Sequence, residues 1–117
     1  MQDFKPLKVW QKGHQLTLAV YKATKEFPKD ELFGLTSQMR RSAASIPTNI
    51  AEGCGRAGKA ELGRFLQISM GSASELEYHL VLAHDLGFLT DADHDRLHNQ
   101  AIELKRMISS FIVSLRS

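Results

Sequence analysis

The sequence predicts an all-α protein, an antiparallel up-down-up-down bundle of four helices that forms a single domain over residues 1–117. Four segments repeat apolar residues at alternating steps of three and four, the spacing that places them on one face of a helix. Prolines, glycines and capping residues separate these segments, and no segment shows the strict alternation of a strand. A chain of 117 residues is long enough to bury a core without disulfides and short for two domains.

The first predicted helix covers residues 9–27 and ends before Pro28, because a proline disfavours helical geometry in the residue that precedes it. Its apolar face is formed by the following positions: Val9, Gly13, Leu16, Val20, Ala23 and Phe27.

The second predicted helix begins at Leu35 and continues to about residue 50. It contains Pro47, which has no amide hydrogen and crowds the carbonyl group four residues earlier. We therefore expect a kink at this point. Ser45 or Asn49 is expected to offer replacement hydrogen bonds to the backbone.

The third predicted helix has its apolar positions between residues 62 and 83 and stops at Gly87, which we expect to cap its C-terminal end. The fourth starts at Thr90, Asp91 and Asp93, which suit the free N–H groups and the dipole of a helix start, and its apolar positions run from residue 97 to residue 115. Its core positions are Leu97, Ala101, Leu104, Ile108, Phe111 and Leu115.

The connector between the second and third helices is predicted from three glycines, Gly53, Gly55 and Gly58, which surround Cys54. Connectors of about 4 to 8 residues favour neighbouring antiparallel helices. The bundle topology follows from these lengths.

Residues 42–51 of the second helix carry no charge, whereas the outer face of a helix in an isolated bundle is normally charged. Two rows of small or neutral polar residues occupy the other faces: Gln38, Ser42, Ser45 and Asn49 in one, and Ala44, Pro47 and Ala51 in the other. One interpretation is that the helix is covered by its own bundle. We favour the other, in which a neighbouring subunit covers it and the protein is a homo-oligomer.

The charge of the chain is unevenly distributed. Residues 1–64 hold 11 Lys/Arg and 6 Asp/Glu, whereas residues 65–117 hold 4 Lys/Arg and 7 Asp/Glu, so the halves carry +5 and −3. A basic half attracts phosphates, but it also pairs with the acidic half of the same bundle or of a neighbour. The N-terminus has no apolar signal core and the single cysteine forms no internal disulfide, so a cytoplasmic protein is expected.

No catalytic site, metal site or cofactor is predicted. The acid-x-x-His pairs Asp91/His94 and Asp95/His98 have the spacing of metal sites in bundles, but those sites need inward-facing ligands from several helices. Capping of the fourth helix explains the acids without a metal. Cys54 has no histidine beside it in the sequence to make it a nucleophile, and the glycines do not follow the order of a phosphate-binding loop.

Basic residues near the second helix are the candidates for binding nucleic acid or another partner. The set consists of Lys12, Arg40, Arg41, Arg56, Lys59 and Arg64. Residues of this type neutralise nucleic-acid phosphates without reading sequence. The alternative is that they form surface ion pairs, with Glu52, Glu61, Glu75 and Glu77 as the available carboxylates.

Three motifs together resemble a known family. They are Phe27-Pro28-x-x-Glu31-x-x-Gly34-Leu35, Gln38-x-Arg40-Arg41, and Ser45-Ile46-Pro47-x-Asn49-Ile50-Ala51-Glu52-Gly53. The chain resembles the four-helix bundle proteins encoded in intervening sequences of bacterial 23S ribosomal RNA genes. It is more distantly similar to the accessory variability protein of diversity-generating retroelements, which partners a reverse transcriptase and nucleic acid.

The resemblance implies an antiparallel four-helix bundle that assembles as a ring, typically of five subunits. It marks the following positions: Arg40, Arg41, Asn49, Glu52 and Arg56, with Glu75 and Glu77 as ion-pair partners. Our hypothesis is a non-enzymatic, ring-forming protein that binds RNA, DNA or a nucleic-acid-associated protein through basic residues of the first two helices. The alternative is a purely structural or protein-interaction module. The expected interface or structural residues are Gln38, Ser42, Ser45, Pro47, Asn49, Glu52, Glu75 and Glu77.

Overall fold

The computed structural model describes residues 1–116. It contains four α-helices: α1 (Lys8–Thr24), α2 (Leu35–Cys54), α3 (Lys59–Asp85) and α4 (Asp91–Ser114). A short 3₁₀ helix, Lys29–Glu31, lies in the connector between α1 and α2. Residues 1–116 contain no strand, which confirms the predicted fold class.

The helices occupy the four corners of a bundle that measures 44 × 23 × 20 Å. α1 packs against α2 and α4, and α3 packs against α2 and α4. The hydroxyl of Thr17 donates to the carbonyl of Ala43, and further along the same interface Arg40 Nε donates to the hydroxyl of Thr24. Residue numbers rise on α1 as they fall on α2, so these neighbours are antiparallel, as predicted.

The predicted apolar faces form the core. In α3 the positions predicted from the three-and-four spacing are all buried, and they are Leu62, Leu66, Ser69, Ala73, Leu76, Leu80 and Ala83. Leu16, Ile46, Leu76 and Leu104, one from each helix, are at most 1% exposed. The α4 face is buried as far as Ile108, and its last two predicted positions are half-buried because the end of α4 has fewer neighbours.

The ends of α3 and α4 follow the capping prediction. Gly87 has φ +80°, and its N–H donates to the carbonyl of His84 at 3.0 Å. This is the left-handed helix ending that glycine adopts without steric cost. The hydroxyl of Thr90 accepts from the N–H of Asp93 at 3.1 Å, so Thr90 caps the start of α4.

The predicted position of the α2–α3 connector was wrong by two residues. α2 continues through Gly53 and Cys54, and the connector consists of residues 55–58. Gly53 lies in the last turn of α2, where a Cβ atom would stand 2.9 Å from Cβ of Phe65. This glycine therefore permits a close helix approach, whereas Gly58, with φ +86°, shapes the connector.

Pro47 lies inside α2 and has no N–H to donate to the carbonyl of Ala43. The donor near this carbonyl belongs to α1, whereas a donor from α2 itself, Ser45 or Asn49, was expected. The single hydroxyl proton of Thr17 in α1 is shared between the carbonyl of Gly13, at 2.8 Å, and the carbonyl of Ala43, which Pro47 leaves without its usual donor, at 3.1 Å. Asn49 does not supply this bond, because its side-chain amide donates to the carbonyl of Ser45 at 2.8 Å. The bend angle at Pro47 stays a prediction.

Replacement of Thr17 by valine tests this interaction. Thr17→Val keeps the shape of the side chain but removes the hydroxyl, which also lies 2.8 Å from the carbonyl of Gly13. We expect the free energy of unfolding to fall by about 1 kcal/mol, the usual net value of one buried hydrogen bond. Thr48→Val on the exposed side of α2 is the control, and an equal loss in both variants in urea denaturation would contradict the assignment.

Candidate assembly and binding surfaces

The six predicted basic residues do not form one patch. Arg41 lies in the second turn of α2, whereas Arg56 lies just beyond its last turn, so about 20 Å of helix separates them. Lys59 and Arg64 belong to the first two turns of α3 and therefore lie at the same end of the bundle as Arg56. Lys12 projects from α1 toward α4.

Several of these residues are paired within the chain. The ion pairs are Lys12–Glu103 at 3.2 Å, Arg56–Glu52 at 3.3 Å and Arg64–Glu61 at 2.9 Å. All three are exposed and are worth little stability. The Arg64 hydrogen bond lowers the pKa of the Glu61 carboxyl. The guanidinium group of Arg40 stacks on Tyr21 at 4.8 Å, so it is held against α1.

The two ends of the bundle differ in net charge. The end that carries the α2–α3 connector, called the connector end, has seven Lys/Arg against three Asp/Glu. They are Lys5, Lys8, Arg56, Lys59, Arg64, Arg106 and Arg116 against Asp3, Glu52 and Glu61. The opposite end has six Lys/Arg against eight Asp/Glu, and the pairs Lys12–Glu103 and Glu77–Lys105 lie near the middle.

An open groove of about 470 Å³ lies between α2 and α3 and is lined by Gln38, Arg41, Ser45 and Glu75, with Ser42 at its base. Four of these five are predicted interface residues, and the fifth is Arg41. This groove is called the α2–α3 groove.

Part of the uncharged row of α2 is used within the chain. The Ser42 hydroxyl is 3.1 Å from Nδ1 of His79 on α3, and Ser42 is buried. The Ser45 hydroxyl is 2.8 Å from that of Ser72. Pro47 is also buried, so neither Ser42 nor Pro47 needs a second subunit to cover it. Glu77, another predicted interface residue, pairs with Lys105 of α4 at 3.0 Å.

Two opposite charges face the α2–α3 groove without pairing. Within residues 1–116, Arg41 has no ion pair shorter than 4 Å, although Glu75 lines the same groove. The Glu75 carboxylate is 3.9 Å from Nε2 of His79, whose pKa is lowered by burial. Arg41 and Glu75 are therefore opposite charges that line one groove, and a buried neutral imidazole is a poor counter-ion for the Glu75 carboxylate.

A larger groove of about 820 Å³, called the α1–α2 groove, lies on the other side of α2. The second predicted row of small residues, with Thr48, forms its floor: Ala44, Pro47, Thr48 and Ala51. Trp10 and His14 of α1 form its wall, with ring centroids 5.1 Å apart and planes 7° apart. The Glu52–Arg56 pair lies at one end, so the rest of the floor is uncharged.

The outer face of α3 is exposed and largely uncharged between residues 67 and 81. This face, called the α3 ridge, consists of Gln67, Ile68, Gly71, Ser74, Tyr78 and Val81. The exposed fractions of Ile68, Tyr78 and Val81 are 40%, 61% and 43%. A Cβ atom at Gly71 would meet nothing within 4 Å, so no contact in the described chain requires glycine there. A glycine in the middle of a predicted helix was the available sequence signal for this surface.

The comparisons decide the family. The family model for 23S rRNA-intervening sequence proteins matches residues 5–110. The chain belongs to this family. A crystal structure of a protein of unknown function from the S23 ribosomal protein family of Bacteroides thetaiotaomicron VPI-5482 superposes with a TM-score of 0.81. It is 26% identical, and the match covers 89% of this chain and 97% of that one. No curated protein matches the sequence.

This family member presents no assembled metal site in residues 1–116, where no three His, Cys, Asp or Glu side chains converge to hold an ion. His94 and Asp95 contact each other at 3.3 Å, and Asp91 contacts His84 of α3 rather than His94. None of the four helices, over the part of the chain that is described, has an apolar stretch long enough to cross a bilayer. The burial of Cys54 raises the pKa of its thiol, which disfavours the reactive thiolate.

The buried His79 predicts a pH dependence of stability. Burial lowers its pKa in the folded state below 6.5, its ordinary value, so the unfolded chain takes up the proton first. The free energy of unfolding should therefore be highest above pH 6.5 and decrease as the pH falls from there through the folded-state pKa. His79→Gln retains a side chain that can reach Ser42 but does not titrate. Urea titrations at pH 8 and pH 5, values that bracket the ordinary histidine pKa, should show a smaller loss in this variant, and equal losses would contradict the prediction.

Proposed function

We propose that this family member is a non-catalytic subunit of a ring built from identical chains. The observation that carries the proposal is Gly71, an exposed glycine in the middle of a 27-residue helix. Such a glycine costs roughly 1 kcal/mol relative to alanine, and nothing within the described chain offsets that cost. The close approach of another subunit to the α3 ridge offsets it.

A ring needs two different surfaces on each subunit, because the same pair of surfaces must meet at every interface. The α3 ridge and the α1–α2 groove are two such surfaces, one convex and one concave. Both are depleted in charge, as the centres of protein interfaces are. The family resemblance favours five subunits.

Light scattering of the purified protein tests the proposal. A ring of five gives a mass near five times the 13.1 kDa of one chain, independent of dilution across the working range. A mass of one chain at all concentrations would refute it. A mass of three, four, six or more chains would keep the ring and change its size, whereas the mass of a dimer, whose interface is isologous, would refute it.

A second function, binding of a nucleic-acid backbone, is favoured by the charge of the connector end. Seven basic residues against three acidic ones gather there, so a binding site at this end accounts for the charge better than one on α1 and α2. Phosphate neutralisation predicts that the binding constant for RNA and DNA decreases steeply as salt increases.

Charge reversal at each end tests this second function. Lys5→Glu/Lys8→Glu at the connector end should abolish binding, whereas Lys22→Glu/Lys25→Glu at the opposite end should leave it nearly unchanged. Binding of the unmodified protein no tighter than that of a neutral control protein at low salt would exclude nucleic-acid binding. The ring would then stand alone as a structural or protein-interaction module.

A further inference from the structure

We propose that His94 and His98, one turn apart on α4, bind a divalent transition-metal ion of the class that imidazole prefers, Zn²⁺, Cu²⁺ or Ni²⁺. Nε2 of His94 and Nδ1 of His98 hold the ion, and water fills its other coordination positions. Both ligands belong to one helix of one chain, so the site does not depend on the ring proposed above.

Two ring nitrogens of these histidines are buried without a hydrogen-bond partner. Among residues 1–116, the only buried side-chain N or O atoms without a partner are Nε2 of His94, Nδ1 of His98 and the hydroxyl oxygen of Thr36. Such an atom lowers the stability of a protein, because it has lost its hydrogen bonds to water and gained none in return. A metal ion bound to the two histidine nitrogens removes this cost by using a lone pair on each.

The carboxylate of Asp95 selects the form of His94 that a metal ion requires. Its Oδ1 lies 3.3 Å from Nδ1 of His94. Because an ionised carboxylate only accepts hydrogen bonds, this contact places the ring proton on Nδ1 and leaves the lone pair on Nε2, the buried nitrogen. Histidines that bind metals usually donate their second N–H to a carboxylate or carbonyl, which orients the ring and increases its basicity. His94 and Asp95 already have this arrangement.

The separation of the two rings suits a single ion. Their centroids are 5.7 Å apart and their planes differ by 12°. A metal–nitrogen bond of about 2.0–2.1 Å puts the ion about 3.2 Å from the centroid of a ligating imidazole, so two ligating rings are at most about 6.4 Å apart. Histidines at positions i and i+4 share one helix face, as the paired zinc ligands of the H-E-x-x-H motif do. Binding therefore needs a rotation of nearly parallel rings but no movement of α4.

The surroundings of the two histidines favour a cation. His84 of α3 stacks on His94 with centroids 4.6 Å apart, and Asp85 and Asp91 each lie within 4.0 Å of a ring nitrogen of His84. Nε2 of His84 is engaged by Asp91, so the site has two protein ligands, and no third side chain in residues 1–116 converges on it. The side chain of His94 is 18% exposed, which gives an ion access from solvent.

Calorimetric titration of the untagged, metal-free protein with Zn²⁺ tests the site. We expect saturable binding of one ion per chain. His94→Gln and His98→Gln should each weaken it about tenfold or more, since even a change beyond the direct ligands usually has an effect of that size. Glu103→Gln, which removes an exposed oxygen ligand from the same helix, should leave the affinity unchanged.

Three results of the titration overturn the proposal. The first is an absence of saturable binding, which leaves a buried water as the partner of the two nitrogens. The second is unchanged affinity in His94→Gln or His98→Gln. The third is an equal loss in Glu103→Gln, which places the ion elsewhere on α4.

Replacement of Asp95 by asparagine tests the role of the carboxylate. Asp95→Asn removes the charge that orients His94, so Zn²⁺ should bind about 10–100-fold more weakly. Asp85→Asn is the matched control, because Asp85 is close to His84 and not to either ligand, and it should change the affinity much less. Equal affinities for Asp95→Asn and the unmodified protein contradict the proposed form of His94.

Nuclear magnetic resonance of the unmodified protein provides a measurement that needs no variant to fold. Addition of Zn²⁺ should shift the ring signals of His94 and His98 and leave those of His14 and His79 in place. Shifts confined to His14 or His79 overturn the site. A single-chain mass in light scattering would refute the ring and leave this site intact, because both ligands come from one chain.

Discussion

Replacement of Gly71 by tryptophan is expected to reduce the mass in solution to the 13.1 kDa of a single chain without loss of helix. The indole ring would stand on the α3 ridge, where an added Cβ meets no atom within 4 Å in the chain, so the bundle itself accepts the substitution. The proposed neighbouring subunit cannot accept the substitution, because the indole would occupy the space into which the floor of the neighbour's α1–α2 groove must pack. Light scattering measures the mass and far-ultraviolet circular dichroism measures the helix content.

The matched control for this prediction is Gln100→Trp, which adds the same ring to an exposed position of α4. It should leave the mass unchanged. If Gly71→Trp also leaves the mass unchanged, the α3 ridge is not part of an interface. If both variants dissociate the assembly, the cause is an added tryptophan anywhere on the surface and not its position on the α3 ridge.

Replacement of Gly53 by alanine is expected to lower the free energy of unfolding by about 1–3 kcal/mol, the usual cost of adding a methyl group to a packed interior. The new Cβ would lie 2.9 Å from Cβ of Phe65 and 3.0 Å from Cδ1 of Leu62. Because the Phe65 atom is next to the backbone, α3 must move away from the end of α2. Urea denaturation measures the loss.

Gly63→Ala provides the matched control, since Gly63 is also a helical glycine near the connector. Its added Cβ would meet only Cδ1 of Leu115, at 4.0 Å, which is ordinary contact. The higher helix propensity of alanine should therefore raise the free energy of unfolding by up to about 1 kcal/mol. Changes of the same sign in both variants would contradict the close-approach explanation for Gly53.

The helices were predictable because their signals are local. The apolar positions of α3, the stop at Gly87 and the cap at Thr90 depend on residues within one or two turns of one another, and the structure has all three. Gly53 was misassigned for the opposite reason. Its role depends on Phe65, which belongs to the next helix, and a glycine in a Gly-rich segment looks like part of a turn.

The candidate surfaces were predictable only in part. The row Ala44, Pro47 and Ala51 was recognised as unusual, and it forms the floor of the α1–α2 groove. The members of the other row, which starts at Gln38, differ in burial. Ser42 packs against His79, while Gln38 remains exposed. Contact with α3 decided which members of the row are buried, and no spacing within α2 reveals that contact.

The sequence by itself determined the fold class, the four helices and the residues that form the core, since each follows from the period of a single helix and from its ends. The tertiary structure decided which distant groups meet. Thr17 donates to the carbonyl that Pro47 leaves free, across 26 positions of sequence. Antiparallel packing also converts a basic first half and an acidic second half into a basic connector end and an acidic opposite end. The physical reason is that antiparallel helices bring the end of one segment beside the start of the next. The net charge of each end of the bundle is therefore the sum over segments that are far apart in the chain.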